Sequence, residues 1–358
     1  MSLADHELSI APLHLLVPED LPEEWDAFLP LPASVLTALK GVLTAILEKE
    51  KLHHLRKAAM ALQVGPWEEV RSHKTSMDRA DAMDHDRYFH VVRVRGDSRR
   101  IYVSGIVQVC VGLIEDLISE VSSTPVGDRV YLYTALDTIL STTMGASGIR
   151  RTTVNNAIRG MLPVVGLRRW IRGHQVFLVI IQGLIREYLC LFRALGDGHP
   201  DGVRDGFDRM AALLKGSAAA LRFTADFSAV DYNEVVRPSM MPPVAPAGMS
   251  GVLSSDHAQL IKLISTLKGK LAALDPDCVS AYCGFRDALS DTYDAHLFVC
   301  ERFTGREKPS LLTVLTAETA AVEALDRFKR NRLGLLPESV GCERDRGIRP
   351  DGRLRGNS

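Results

Sequence analysis

Residues 294–300 read Asp-Ala-His-Leu-Phe-Val-Cys, and the faces that His296 and Cys300 take in their helix decide how the whole chain is read. From Cys278 to Phe303 the residues Tyr282, Phe285, Leu289, Tyr293, His296, Cys300 and Phe303 recur in steps of three and four. That is the period of one helix face, so the histidine and the cysteine share the core side, one turn apart. Arg286, Asp287, Ser290, Asp291 and Glu301 fall on the other side, which suits water. The preceding segment repeats the pattern. Ser254 and Ser255 are N-cap candidates, and the stripe His257, Leu260, Ile264, Leu267, Leu271, Leu274 follows. His257 lies in the first turn, where the helix dipole disfavours imidazolium, and neutral imidazole is the form that binds metal. A turn at Asp275-Pro276-Asp277 makes the two helices antiparallel, which returns both histidines to the same end.

Three chemistries suit this set. A haem iron held by His296 would sit off the helix face. A thiol one turn further on, about 5.4 Å away, would then reach a vinyl group and form a single thioether. The usual Cys-x-x-Cys-His attachment signature is absent. Zinc held by His257, His296 and Cys300 is the second, without a CxxC or HExxH pair to support it. In the third, both residue types simply pack in the core.

Outward from this pair the chain reads as mainly α. Helical spacing runs over 33–61, 101–123, 130–144, 170–195, 200–227, 254–274 and 278–304, and a last helix reaches about Leu333. The segment 170–195 is apolar almost all round and so central. Residues 87–96 alternate like a short strand, and the polar run before them, 83–88, is expected to be a loop. "RPSMMPPVAPAGMSG" (237–251) is a Pro/Gly loop of the kind that walls a binding site. The division expected is an N-terminal lobe over 1–100, a helical catalytic domain over 101–333 and a disordered charged tail over 334–358.

The 358 residues carry a net charge of −1, which argues against nucleic acid or an anionic membrane as partner. The six cysteines are scattered, so no disulfide framework is expected. The first residues lack an export signal, and the densest apolar run, 176–181, is too short to span a bilayer. A soluble cytoplasmic protein is expected, and a homo-oligomer is left open.

His257, 38 intervening residues, and then His296-x-x-x-Cys300 resembles the HxnHxxxC pattern of the haem-dependent 3-methyl-L-tyrosine hydroxylases of saframycin-type biosynthesis. These are outlying members of the tryptophan/indoleamine 2,3-dioxygenase superfamily. The likeness extends over about residues 100–305, including "YNEVVRP" (232–238) before the Pro/Gly loop. It implies a helical-bundle haem domain of that superfamily's type with a smaller N-terminal lobe. It implies a b-type haem joined by one thioether to Cys300, with His296 as proximal and His257 as second axial ligand. It places Arg237 on the carboxylate of the amino-acid substrate. The implied reaction converts 3-methyl-L-tyrosine to 3-hydroxy-5-methyl-L-tyrosine for tetrahydroisoquinoline antibiotics. The oxidant would be hydrogen peroxide, or dioxygen with a reductant such as ascorbate. A bis-histidine haem protein for electron transfer or redox sensing is the alternative from another class, and an indole-acting superfamily relative is a third.

Two axial histidines leave iron no open position, so one must let go. His257, in a first turn beside a Met/Pro/Gly loop, is expected to do so through local opening. Ring hydroxylation of a phenol also asks for a base. His257 off iron could serve, as could His85, His90 or His174, with Tyr88 close to the first two. His53 and His54 stand among Lys51, Arg56 and Lys57 and read as an exposed helix face.

Overall fold

The long apolar stretches of the sequence become helices stacked around one central member. The computed structural model describes residues 10–25, 49–63, 67–70, 77–119, 121–145, 149, 162–246, 248–249, 253–271, 274–305 and 321–337. In chain order these hold β1 (Leu13–Leu16), α1 (Lys49–Gln63), β2 (Glu68–Glu69), α2 (Met77–Tyr88), β3 (Val91–Arg95), α3 (Ser98–Ser119), α4 (Val126–Thr143), α5 (Gly166–Gly196), α6 (Pro200–Thr224), α7 (Ser255–Lys270), α8 (Val279–Thr304) and α9 (Ala321–Gly334). The mainly α class expected from the pattern is what forms.

α5 is the axis. Its apolar residues point in all directions, and its middle, Val176–Tyr188, is buried apart from Phe177. α6 packs against α4, α5 and α8; α7 lies on α5, α9 on α8 and α1 on α3. Small residues set the crossings. A Cβ at Gly173 of α5 would collide with Thr224 of α6, and one at Gly216 of α6 would collide with Ala135 of α4. Aromatic rings fill the space between, among them Tyr188, Phe207, Tyr282 and Phe285, each at most 1% exposed. Each such side chain contributes roughly 1.5–3 kcal/mol by burial.

The strands form one small sheet of order β1-β3-β2. β1 runs parallel to β3, with Leu13 opposite Val91 and Leu16 opposite Val94, and β2 is antiparallel on the other edge. Leu13, Leu15 and Leu16 are buried in the same apolar cluster as the helices. Of the short strand or extended loop expected over 87–96, residues 91–95 form β3, while 87 and 88 close α2. The polar run before it departs from expectation, because residues 83–88 are the end of α2, not a loop. The physical reason is partnership. Asp86 is paired by Arg93 at 2.8 Å, and His85 packs on Phe89 with ring centres 4.8 Å apart.

Charges inside this core come in pairs. Arg169 is fully buried and sits 3.2 Å from Asp226, its guanidinium over the Phe223 ring. Asp226 also accepts from Ser122 Oγ at 2.7 Å and Thr124 Oγ1 at 2.8 Å. Arg93 forks between Asp86 and Asp256, tying the sheet to the start of α7.

Residues 33–48 of the expected first helix, and the tail beyond 337, lie outside the described residues. His53 and His54 are exposed, as read from the sequence. Cys110, Cys190, Cys278 and Cys300 are free thiols, while Cys283 is disulfide-bonded. α3 and α5 are long and apolar enough to cross a bilayer by length and composition. Their most apolar windows are nevertheless 72% and 78% buried inside the protein, as core helices are.

Candidate functional site

Four helices bring four histidines together: His85 from α2, His174 from α5, His257 from α7 and His296 from α8. His174 feels the charges of His85 and His296, and His257 feels those of His296 and His85. Of the sequence-predicted residues, His257, His296 and Cys300 therefore share one region. His90 does not join it. It occupies the α2–β3 turn with a left-handed φ of 54°, and its carbonyl accepts from the Leu13 amide at 2.8 Å.

His296 and Cys300 stand one turn apart on α8, both half-buried, with Phe298 between them turned to solvent. Burial alone lowers the His296 pKa to about 4. Burial pushes the Cys300 thiol up to about 11, which keeps it protonated. His257 sits behind the α7 N-cap, its amide 3.4 Å from Ser254 Oγ. Burial, then the charge of Arg332, lowers its pKa to about 4. His174 is lowered to about 3, again by burial first. Its Nδ1 lies 2.7 Å from the Trp170 carbonyl. A carbonyl only accepts, so the proton is on Nδ1 and the Nε2 lone pair is free. The His85 Nδ1 is 3.8 Å from Asp86, and both the charge and the contact of His85 help to lower the Asp86 pKa.

Aromatic rings wall this cluster. Phe89 stacks on His174 at 4.1 Å, and Trp170 lies 4.5 Å from the same imidazole. Tyr232 stacks on Phe303 at 4.3 Å, and both rings contact Trp170. Arg237 reaches this wall. It hydrogen-bonds Tyr232, which in turn is near enough to Cys300 to feel it. Tyr88 and Ser239 are hydrogen-bonded at 2.7 Å, tying α2 to the start of the Pro/Gly loop.

Sequence reasoning did not single out Trp170 or Arg332. Trp170 and His174 stand at i and i+4 on α5, a spacing that could have flagged them. Arg332 of α9 gave no signal, because it reads as one of several basic residues on a solvated helix. It hydrogen-bonds Tyr293 of α8.

The donor set fits a haem better than a bare ion. Among the described residues no three His, Cys, Asp or Glu side chains form a group that could hold a metal ion by themselves. Two neutral imidazoles near one another but not convergent suit the two faces of a flat macrocycle, and the walls are aromatic. The Trp170 Nε1 is buried here with no hydrogen-bond partner among the described residues.

The chain matches the family described as SfmD 3-methyl-L-tyrosine peroxygenase over residues 14–281. That span includes His85, His174, Arg237 and His257 and ends before His296 and Cys300. Over 263 residues the chain is 33% identical to the 3-methyl-L-tyrosine peroxygenase of Streptomyces lavendulae, covering 73% of this chain and 72% of that one. Its fold matches a crystal structure of reduced SfmD soaked with sodium hydrosulfite. The TM-score is 0.65 at 28% identity, over 81% of this chain and 98% of the other.

Proposed function

The chain belongs to the SfmD 3-methyl-L-tyrosine peroxygenase family, and on that premise we propose that it hydroxylates the ring of 3-methyl-L-tyrosine with hydrogen peroxide. The O–O bond of the peroxide breaks, one oxygen enters the ring C–H bond ortho to the phenol to give 3-hydroxy-5-methyl-L-tyrosine, and the other leaves as water. A b-type haem would supply the peroxide activation. His296 of α8 and His257 of α7 would hold it, and Cys300 would tie it by one thioether. The observation that carries this reading is the nearness of two imidazoles, His257 and His296, that burial keeps neutral, with a free thiol one turn from the second.

The remaining residues orient and exclude water. Arg237 suits the substrate carboxylate, since its planar fork can bind bidentately and so fix the ring. Tyr232, Phe303 and Trp170 supply a flat apolar wall for an aromatic ring. His257 would be the residue to let go and admit the oxidant. Its neighbour Asp256 is fully buried and accepts from Arg93 at 2.5 Å and from Gln182 at 2.9 Å. The first turn of α7 is thus anchored. His174, with a pKa near 3, is a weak base; its free Nε2 accepts and orients an O–H more readily than it removes the proton.

The test is purified haem-replete protein with 3-methyl-L-tyrosine and peroxide. The expected product gains one oxygen on the ring, and L-tryptophan is left unchanged. Dioxygen with ascorbate is the second oxidant to try. A colourless protein, or turnover of the indole alone, would overturn the assignment.

A further inference from the structure

Cys283 of α8 is disulfide-bonded, whereas Cys110, Cys190, Cys278 and Cys300 are free thiols. The sequence holds six cysteines, so Cys342 is the one partner left for Cys283. A separate observation carries the chain to the same place. From α9 onward it runs back along α8: Lys329 pairs with Asp294 at 2.6 Å, Arg332 hydrogen-bonds Tyr293, and the Pro337 carbonyl accepts from the Tyr282 hydroxyl at 2.6 Å. Leu336, just before that last contact, is buried. Each step toward the C-terminus is thus a step toward the start of α8, and Cys283 is the neighbour of Tyr282 in sequence. Cys342 follows Pro337 by five residues, a reach of up to about 17 Å when extended, ample for the Cα separation of under about 7 Å that a disulfide needs. Cys283 is only half-buried and precedes the exposed Gly284, so small reagents can reach it. Cys278, at the start of the same helix, is fully buried, and its thiol donates to the Pro200 carbonyl.

We infer that Cys283 and Cys342 are a redox-active pair whose disulfide clasps α9 to α8, and that hydrogen peroxide makes the bond. One thiol, as thiolate, attacks a peroxide oxygen; the O–O bond breaks, giving a sulfenic acid and one water. The second thiol attacks that sulfur, the S–S bond forms and the hydroxyl leaves as a second water. Two thiols lose two electrons and two protons, and one peroxide takes up both. The choice of oxidant rests on the peroxide reading above; the pairing does not. The bond closes a loop of about 60 residues that contains His296, Cys300 and α9. It matters because little else holds α9 by charge. The Asp294 side chain is 54% exposed in its pair with Lys329, and an exposed pair adds little in water. α9 also carries Arg332, whose charge His257 feels. The oxidation state of the pair therefore sets how firmly the helix beside the proposed axial histidine is held.

The experiment uses full-length protein purified without reductant. It is denatured and alkylated with iodoacetamide before and after treatment with tris(carboxyethyl)phosphine. The phosphine should raise the alkylation count by two, and the peptides carrying Cys283 and Cys342 should run as one cross-linked mass that it splits. Cys342→Ser should show no rise. After reduction and removal of the phosphine, hydrogen peroxide should restore the cross-link in the wild type and not in the variant. On the native protein, trypsin should cut at Arg327 to Arg332 about tenfold or more faster when the pair is reduced, since a cross-link closing so long a loop suppresses the opened form. Cys342→Ser should cut at the reduced rate with or without phosphine. A count that does not rise, or a cross-link from Cys283 to another cysteine or to a second chain, overturns the pairing. Equal tryptic rates in both states overturn the clasp, and a cross-link that peroxide does not restore overturns the oxidant. If Cys342→Ser does not fold, the wild type with and without phosphine decides. A protein that forms the cross-link and leaves 3-methyl-L-tyrosine untouched sinks the proposed function and not the pair; one that hydroxylates without ever forming it does the reverse.

Discussion

Arg169 and His174 stand five residues apart on α5, and burial treats them in opposite ways. Arg169 has no exposure at all, yet it lies against Asp226 at 3.2 Å and spans to Asp116 at 3.8 Å. Burial is the largest influence on Asp226 and acts to raise its pKa. Hydrogen bonds from Ser123, Ser122 and Thr124 and the charge of Arg169 overcome it and hold the carboxyl below its usual range. His174 has no acid beside it, only a backbone carbonyl and other imidazoles, and it gives up its charge. The lesson is that depth alone does not set the role of a polar group. Paired groups become fasteners of the fold; unpaired imidazoles become lone pairs available to a cofactor or substrate.

The sharpest way to break this contrast is to make the paired region resemble the pocket. Asp226→Ala leaves Arg169 buried without its nearest acid, and the expected loss is about 3–5 kcal/mol, read by urea unfolding at pH 7. A loss below 1 kcal/mol would mean that Asp116 compensates and the pair is not a fastener. The depressed Asp226 pKa has a sign: its contribution is present above the unfolded carboxylate pKa and is lost as pH falls through the lower folded value. The Arg93 fork ranks next. Arg93→Met strands Asp86 and Asp256 together, at an expected cost of about 3 kcal/mol. Because Asp256 precedes His257, the variant should also shift the haem absorption bands. Asp226→Ala should not, and equal shifts in both would show the two regions to be coupled.

Much of this arrangement was written in local spacing. The stripe from Tyr282 to Phe303 put His296 and Cys300 on one face of α8, and both are half-buried there. His257 followed from the N-cap at Ser254, where the serine side chain accepts from the His257 amide. What local spacing could not carry was long-range pairing. The end of α2 reads as a solvated loop because Asp84, His85, Asp86 and Arg87 are polar. It is a helix against the core because Arg93, seven residues on, and Asp256, far along the chain, complete its charges. Arg332 was illegible for the same reason: its hydrogen bond to Tyr293 of α8 joins two helices far apart in sequence.

A smaller effect tests the neutral side of the contrast by pH. His174 has a folded pKa of about 3 against roughly 6.5 unfolded. The unfolded chain therefore binds more protons between those values, so stability is fully present above about pH 6.5 and declines as pH falls toward 4. His174→Phe keeps a ring against Phe89 and removes the titration. Its urea midpoint should fall less steeply than that of the wild type over this window, when both are measured without haem. Parallel slopes would show that the imidazole is not held neutral.

The smallest expected effect on the fold is also the most specific for the chemistry. Cys300 is half-buried and its thiol, with a pKa raised to about 11, carries no charge at neutral pH. Cys300→Ala thus removes one soft atom and strands no ion, so the loss in the haem-free protein should be under about 1 kcal/mol. The same change should convert a haem that resists acid–acetone into one that is extracted, while His257 and His296 still give a low-spin spectrum. A variant that keeps its haem through acid–acetone would separate the thiol from the anchor and return Cys300 to ordinary packing. A variant that loses both the covalent bond and the low-spin bands would mean that the thioether, and not the pair of histidines, holds the cofactor in place. The comparison with Asp226→Ala is then complete: a charged partner costs several kcal/mol and leaves the chemistry intact, while an uncharged thiol costs almost nothing and changes how the cofactor is held.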